Sequence, residues 1–571
     1  MLHISLASLR RCTFAAAVAI AVTPSAFANS HAPVEGKIHA DALKSGEATG
    51  RYIIKFKAGS AEHRDPQAAL DSAGRGLGLG LRMVRRLAID AELFEVDRAL
   101  PTQAAEAMMR ALAKNPNVEF IEADALMTVQ LTPNDSRYPE QWHYFEATGG
   151  INAPTAWDRT SGSGVRVAVL DTGVTAHTEL SSNLVGGYDF ISDPAAARDG
   201  DGRDSNPRDE GDWYLAGECG KEVGSNSSWH GTHVAGTVAA VTNNTAGVAG
   251  VAYGARVVPI RVLGKCGGAL SDIAEAIVWA SGGSVTGVPA NSHPAEVINM
   301  SLGGIASCGS TYQTAIDSAV ARGSVIIVAA GNHNVDVSNA RPANCNNVVA
   351  IAATTRSGSR ASFSNYGSLI DLSAPGESIL STWNSGTTTP GSQSYRLMNG
   401  TSMAAPHVAG VAALMQSLKV STPAQIESLL KQTARALPGT CTGGCGTGIV
   451  HARAAIDAAL FYQNTADHAI RDNSTVESPI AVSGHTQPAS STLKVSVRII
   501  HTYIGDLKVD LVAPNGTIFT LHNRAGGSAD NIITTYTVNA SGLSANGTWW
   551  LRVNDNAGGD TGYIDSWSLQ F

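Results

Sequence analysis

The chain has 571 residues, of which 15% are charged, with a formal net charge of −8 and 59 glycines. That length exceeds what one hydrophobic core can serve and predicts about two to four domains, with an ordinary globular composition rich in tight turns. The net charge, with no domain carrying a dominant basic field, argues against nucleic acid as a partner.

At the start of the chain, Arg10 and Arg11 precede an apolar run from Cys12 to Val22, followed by Ala26-Phe27-Ala28. A basic segment, an apolar stretch too short to span a bilayer and a small-residue cleavage site predict a secretory signal peptide over residues 1–28. No later stretch reaches the roughly 20 apolar residues of a membrane helix, so no membrane partner is expected. Of the seven cysteines, Cys12 leaves with the signal and six remain: Cys219, Cys266, Cys308, Cys345, Cys441 and Cys445. An even number in an exported chain favours disulfides, and sequential pairing (219–266, 308–345, 441–445) is the expected one among about 15 arrangements. A zinc site is the competing reading, but no C-x2-C or clustered His–Cys spacing supports it.

Beyond a polar tail, Tyr52–Phe56 reads as a strand, a helical stretch runs through Ala69 and Leu70, and Glu92–Val96 alternates again. An Ala- and Met-rich helix over Thr102–Leu112 and a strand at Val118–Ile121 complete a small ferredoxin-like domain within residues 29–130. From about Val165 to Leu460, short unbroken apolar runs (Val165–Leu170, Val257–Val262, Val297–Met300, Val325–Ala330, Val348–Ala352) alternate with helical stretches. Unbroken apolarity marks strands buried on both faces, hence an α/β domain with a parallel sheet between helices, assigned to residues 131–463. Gln463–Pro488 is polar and reads as a linker. After it come only strand signals separated by turns such as Pro514-Asn515-Gly516, so residues 464–571 are read as this linker plus an all-β sandwich.

Three segments of the α/β region carry chemistry. Val167-Ala168-Val169-Leu170-Asp171-Thr172-Gly173 ends a buried strand on a carboxylate. His230-Gly231-Thr232-His233-Val234-Ala235-Gly236-Thr237 opens a helix with small residues. Gly400-Thr401-Ser402-Met403-Ala404-Ala405-Pro406-His407 sets a serine at the start of another helix, with Pro406 read as part of its first turn. A serine hydroxyl attacks effectively when an imidazole takes its proton, and the imidazole needs a carboxylate to fix its tautomer. Strand carboxyl ends and helix N-termini are where an open α/β sheet gathers such groups.

In the order Asp…His…Ser, these segments resemble the subtilase family of serine proteases. The resemblance implies a subtilisin-like fold with Asp171, His230 and Ser402 as the catalytic triad and His233 as a structural residue. Asn299-Met300-Ser301-Leu302-Gly303-Gly304 is similar to the family's substrate-pairing strand. Val328-Ala329-Ala330-Gly331-Asn332 is similar to the segment whose asparagine, here Asn332, completes the oxyanion hole beside the Ser402 amide. Residues Ser301, Leu302, Gly303, Ala329, Ala330 and Gly331 then line an open, mostly apolar first specificity pocket. Residues 52–123 resemble the family's inhibitory propeptide, which implies self-processing near Gln130–Leu131. The C-terminal stretch, with Gly505-Asp506-Leu507, Asn554-Asp555-Asn556 and Asp565-Ser566-Trp567, resembles the P domain of proprotein convertases and bacterial secreted proteases.

The crowd of Asp193, Asp199, Asp201, Asp204, Asp209 and Asp212, with Gly200 and Gly202 among them, suits structural Ca2+, although a solvated acidic loop is the plainer reading. Val241–Thr245 is a second calcium candidate, similar to the family's main calcium loop, with its ligands left open. His177, His293 and His407 are read as packing or capping residues. The expectation is therefore a secreted, monomeric serine endopeptidase of broad specificity, whose partners are protein and peptide substrates and its own propeptide. A narrow processing protease and a surface-binding protein with vestigial catalysis are the alternatives.

Overall fold

The structure, a computed structural model, describes residues 34–40, 43, 48–98, 100, 102–125 and 132–571. The expected signal peptide and the cleavage point near Gln130–Leu131 lie outside the described residues. The chain divides after Met127 into two units.

In the first unit, a five-stranded sheet runs in the order Ile38–His39, Val118–Ala125, Ala48–Phe56, Glu92–Val96, Leu81–Arg86. Helices Pro66–Leu77 and Thr102–Ala113 complete a core of Tyr52, Ile54, Phe56, Leu70, Phe94, Met108, Met109 and Ile121. The first of these helices starts where the Asp65 side chain accepts from the Ala68 amide and Pro66 presets the turn, and it ends at Gly78 in the left-handed region. Strand Leu81–Arg86 escapes the sequence reading because three arginines interrupt its apolar pattern. It is an edge strand whose exposed arginines pair across to Glu95 and Glu92 of its neighbour.

The second unit is built on a seven-stranded parallel sheet, in the order Leu372–Pro375, Val349–Thr354, Val325–Ala329, Val297–Met300, Arg166–Asp171, Arg256–Arg261, Tyr188–Asp189. Neighbouring apolar residues of a strand serve opposite faces. Val167 and Val169 pack with helices His230–Ala239 and Thr401–Leu418 on one side. Ala168 and Leu170 pack with helices Leu270–Ala280 and Gly309–Ala321 on the other. Two-sided burial is why these strands read as unbroken apolar runs. Strand Arg166–Asp171 ends at Asp171, between neighbours that come later in the chain on both sides, so its carboxyl edge is a topological switch point.

The C-terminal region is a sandwich of two antiparallel sheets. One holds Phe461–Asn464, Gly562–Gln570, Leu493–His501 and Ile532–Val538, with His468–Ile470 also paired to it. The other holds Thr475–Val482, Gly547–Asp555, Leu507–Val512 and Ile518–Asn523. The stretch read as a linker therefore carries strands of the sandwich, which begins at Phe461. Thr475–Val482 is an edge strand, so Pro479 is tolerated, and its one-sided burial leaves polar residues such as Thr475 and Glu477 on the exposed face. The sandwich shares a continuous core with the α/β layer: Trp549, Trp567 and Phe571 lie in one apolar cluster with Leu460, Leu414 and Trp157. Arg159 reaches the Phe571 carbonyl at 3.2 Å, and the Gln570 amide reaches the Asp457 carbonyl at 3.0 Å. Disulfides join Cys219 to Cys266, Cys308 to Cys345 and Cys441 to Cys445. Among the described residues no helix is long and apolar enough to cross a membrane.

Candidate active site

Asp171 is fully buried at the end of strand Arg166–Asp171, and its Oδ1 receives the Nδ1 hydrogen of His230 at 2.7 Å and the Thr172 amide at 2.8 Å. His230 begins its helix one residue after Trp229, which adopts a left-handed conformation, and its side chain stays 17% exposed. Gly231 follows because a Cβ there would lie 2.2 Å from the Gly173 carbonyl and 3.1 Å from the Asp171 Cβ. The Gly231 amide donates to the Thr172 hydroxyl, which donates in turn to buried Asp209 at 2.6 Å, so this relay fixes the start of the helix against the strand. Burial disfavours a charged His230, but the adjacent Asp171 carboxylate, with Asp212 and Asp209 behind it, outweighs that effect and raises its pKa above the ordinary value.

Ser402 lies in the first turn of helix Thr401–Leu418, which packs against the helix of His230. Its hydroxyl donates to the Ser301 carbonyl at 3.2 Å. Pro406 is the sixth residue of this helix, not part of its first turn as the sequence reading had it. A proline there withholds the N–H that would bond the carbonyl four residues back, that of Ser402. The Ser301 hydroxyl donates to this freed carbonyl instead, at 2.8 Å, while accepting from the buried Asn299 amide at 3.0 Å.

Asn332 holds its Oδ1 against the Thr401 amide (2.8 Å) and the Thr401 hydroxyl (2.9 Å), which leaves its Nδ2 as the unengaged donor beside Ser402. Gly331 has φ near +100°, and a Cβ there would meet the Asn365 amide nitrogen at 2.5 Å. Asn365 braces the same segment, accepting from the His333 and Val335 amides and donating to the Ala330 carbonyl. A cleft of about 530 Å³ opens here, and Ser301, Leu302, Gly303, Ala329, Ala330, Gly331, Asn332 and Ser402 all line it. Tyr312, Arg341 and Ile305 line it as well. Ile305 directly follows the substrate-strand block, whereas Tyr312 comes from helix Gly309–Ala321 and Arg341 from the short strand Ala340–Arg341 that pairs with Gly304–Ile305, and neither of these two lies in a motif. Thr172 and Thr401 lie within the motif blocks without a role assigned there, and Asn365 lies outside them; all three hold the site in place.

Three histidines of the α/β region outside the site are held by contacts within the chain. His233 is buried with its Nε2 at 3.0 Å from the Ile379 and Arg396 carbonyls, and burial depresses its pKa to about 3. His177 accepts the Glu179 amide at the start of a short helix, and His407 contacts the Met403 carbonyl and His143.

Of the acidic crowd, three members converge: ligand oxygens of Asp199, Asp201 and Asp204 lie within 4.8 Å of one another. Asp199 Oδ2 pairs with Arg261 at 2.8 Å, while its Oδ1 is buried without a partner. Burial, followed by the charges of Asp204 and Asp199, raises the pKa of Asp201. An orphaned oxygen among crowded carboxylates fits a hard divalent cation such as Ca2+. The other three do not join them, because donors of the chain already claim their oxygens. Asp193 caps helix Pro194–Ala197, Asp209 holds Thr172, and Asp212 accepts from the Ser228 amide and hydroxyl at 2.6 and 2.7 Å. In the loop Val241–Thr245, Asp135 takes the Asn243 amide at 2.9 Å, and Glu179 takes the Asn244 side chain at 3.1 Å.

A serine at a helix N-terminus, an imidazole oriented by a buried carboxylate and a free amide donor supply what acyl transfer through a hydroxyl requires, which places the protein among the serine hydrolases. Residues 162–448 match the model of the subtilase family, and residues 490–571 match that of the proprotein convertase P-domain. An "Extracellular protease" of Xanthomonas campestris pv. campestris is 59% identical over 437 residues, covering 74% of this chain and 75% of that protein. An "Extracellular basic protease" of Dichelobacter nodosus is 42% identical over 565 residues, covering 92% and 93%. A solved protease structure from Pseudoalteromonas arctica is 60% identical, with a TM-score of 0.57, covering 58% of this chain and all of its own. The chain belongs to the subtilase family, as a serine endopeptidase that also carries a P domain.

Proposed function

We propose that Ser402 is the nucleophile of a secreted, broad-specificity endopeptidase, with His230 as general base and Asp171 as the group that orients it. In this reading a substrate segment lies along Ser301–Gly303, with its first side chain in the small-walled cleft, whose lining is mixed polar and apolar rather than mostly apolar. The Ser402 hydroxyl turns from the Ser301 carbonyl toward His230, transfers its proton to Nε2 and attacks the scissile carbonyl. The imidazolium is held by Asp171 and then protonates the leaving amine. The Asn332 Nδ2 and the Ser402 amide, at the positive end of the helix, receive the developing oxyanion. Water repeats the sequence on the acyl-enzyme.

The observation that carries this reading is the pairing of a buried Asp171 with His230 at 2.7 Å while the Oδ1 of Asn332 is tied to Thr401, so that a donor is left free beside Ser402. Asp199, Asp201 and Asp204 would hold a structural Ca2+, whose role is to neutralise their mutual repulsion. The first unit is read as the inhibitory propeptide, removed by self-processing near Gln130–Leu131, and export rests on the signal over residues 1–28 and on the names of the relatives. Casein hydrolysis by the parent and by Ser402→Ala, with a mass spectrum of each, tests the proposal. An active parent that has lost its N-terminal unit, beside an inert and unprocessed variant, is the expected outcome. Equal behaviour of the two would overturn it.

A further inference from the structure

Three polar side chains converge at one end of the sandwich, far in sequence from the segments described above. His501 ends strand Leu493–His501 in one sheet, and Asp555 ends strand Gly547–Asp555 in the other. Asp560 sits in the loop that leads from Asp555 into strand Gly562–Gln570. His501 Nε2 lies 3.3 Å from Asp555 Oδ2 and 3.8 Å from Asp560 Oδ1. The His501 and Asp555 side chains are fully buried, and that of Asp560 is 20% exposed. All three facing atoms, His501 Nε2, Asp555 Oδ2 and Asp560 Oδ1, are buried and lack a hydrogen-bond partner. Native interiors seldom leave even one such atom unmatched.

The remaining atoms of the cluster are engaged in a way that aims these three inward. The Asp555 Oδ1 accepts the Ala557 amide at 3.1 Å. The His501 Nδ1 has two backbone neighbours, the Tyr503 carbonyl at 3.1 Å and the Tyr503 amide, which donates to it at 3.2 Å, and a zinc-ligating ring takes the tautomer that donates to the carbonyl and presents the lone pair of Nε2 to the two carboxylates. Gly562 leaves room for the ring, since a Cβ there would come within 2.7 Å of the His501 Cδ2. Three buried polar atoms that face one another without partners, two of them carboxylate oxygens, are repulsive unless a cation lies between them.

We propose that His501, Asp555 and Asp560 form a binding site for a divalent transition-metal ion, zinc by its ligand set, which ties the two sheets of the sandwich together. Two bonds of about 2.0–2.1 Å at a tetrahedral angle hold their ligand atoms roughly 3.4 Å apart, close to the separations seen here. A ligating imidazole disfavours calcium, which takes oxygen donors, and suits zinc. Asp560, at the exposed margin, gives the ion its entry and leaves space for water as the fourth ligand.

The test uses the full chain carrying Ser402→Ala, freed of metal with a chelator and then titrated calorimetrically with zinc sulfate in saturating Ca2+, which occupies the Asp199 cluster. One zinc site is expected, weakened about 10–100-fold or more by Asp560→Asn, a loop substitution that leaves the strands intact. Circular dichroism checks that this variant folds. Zinc binding that is identical in parent and variant places the ion elsewhere and overturns the proposal. Binding that Ca2+ displaces overturns the metal assignment. No zinc binding in the parent also overturns it.

Discussion

Replacing Ser301 by alanine removes the hydroxyl that links the substrate-side strand to the start of the Ser402 helix. The Asn299 amide, fully buried, and the Ser402 carbonyl, already deprived of its helical partner by Pro406, both lose their hydrogen bond. Leaving two such groups unmatched costs about 2–4 kcal/mol. For a unit of the size of residues 128–571, the entropy of unfolding is roughly 0.9 kcal/mol per kelvin, so the melting temperature falls by about 2–4 °C. Pro406→Ala supplies the missing N–H four residues after Ser402. The double variant is therefore expected to recover about 1 kcal/mol relative to the sum of the two single changes. Thermal unfolding in a Ser402→Ala background, where self-digestion is silent, measures the cycle. A loss below 1 °C for Ser301→Ala (about 0.9 kcal/mol), or strict additivity with Pro406→Ala, would refute the linkage between proline, carbonyl and hydroxyl.

Other outcomes follow from the same geometry. Because His230 is raised above its ordinary value, the acid limb of kcat/KM is expected above about pH 6.5. Asp171→Asn moves that limb down and lowers kcat on the order of 10⁴. The matching contribution of protonated His230 to stability is fully present below its unfolded pKa and is lost as pH rises through the higher folded value, so titration of unfolding across this window reads the same shift. Excess EDTA should lower the melting temperature by about 3 °C if Ca2+ was present at about 100 times its dissociation constant, and Asp201→Asn should abolish the difference. Removing Cys308–Cys345, which closes 37 residues, should cost about 4 kcal/mol, whereas removing Cys441–Cys445, which closes 4, should cost about 2 kcal/mol. Denaturant melts of the paired alanine variants give both values.

How much could be read in advance depended on whether the signal was local. Asp171, His230 and Ser402 each sit in a contiguous block of small and apolar residues, because a strand end or helix start packed this tightly admits little else. The parallel sheet was legible for a related reason, since burial on both faces forces unbroken apolar runs. One-sided burial hid the rest. Leu81–Arg86 carries its arginines on an exposed edge, and Thr475–Val482 is half polar and interrupted by Pro479, so the first was missed and the second was taken for linker. Density of charge was also a poor guide. Six aspartates close in sequence separate in space according to which donors each meets, and the helix cap at Asp193 or the Thr172 hydroxyl over Asp209 leaves no mark in the spacing. The His501 cluster needed the fold outright, because its residues come from two sheets.

The claim that Ser402 is the nucleophile activated by His230 is tested most directly by covalent labelling. The mature protein, treated with a fluorophosphonate and mapped by mass spectrometry, is expected to take one equivalent of label on Ser402, and His230→Ala is expected to take almost none in the same time. Label on another residue, or equal labelling of the His230 variant, would contradict the account.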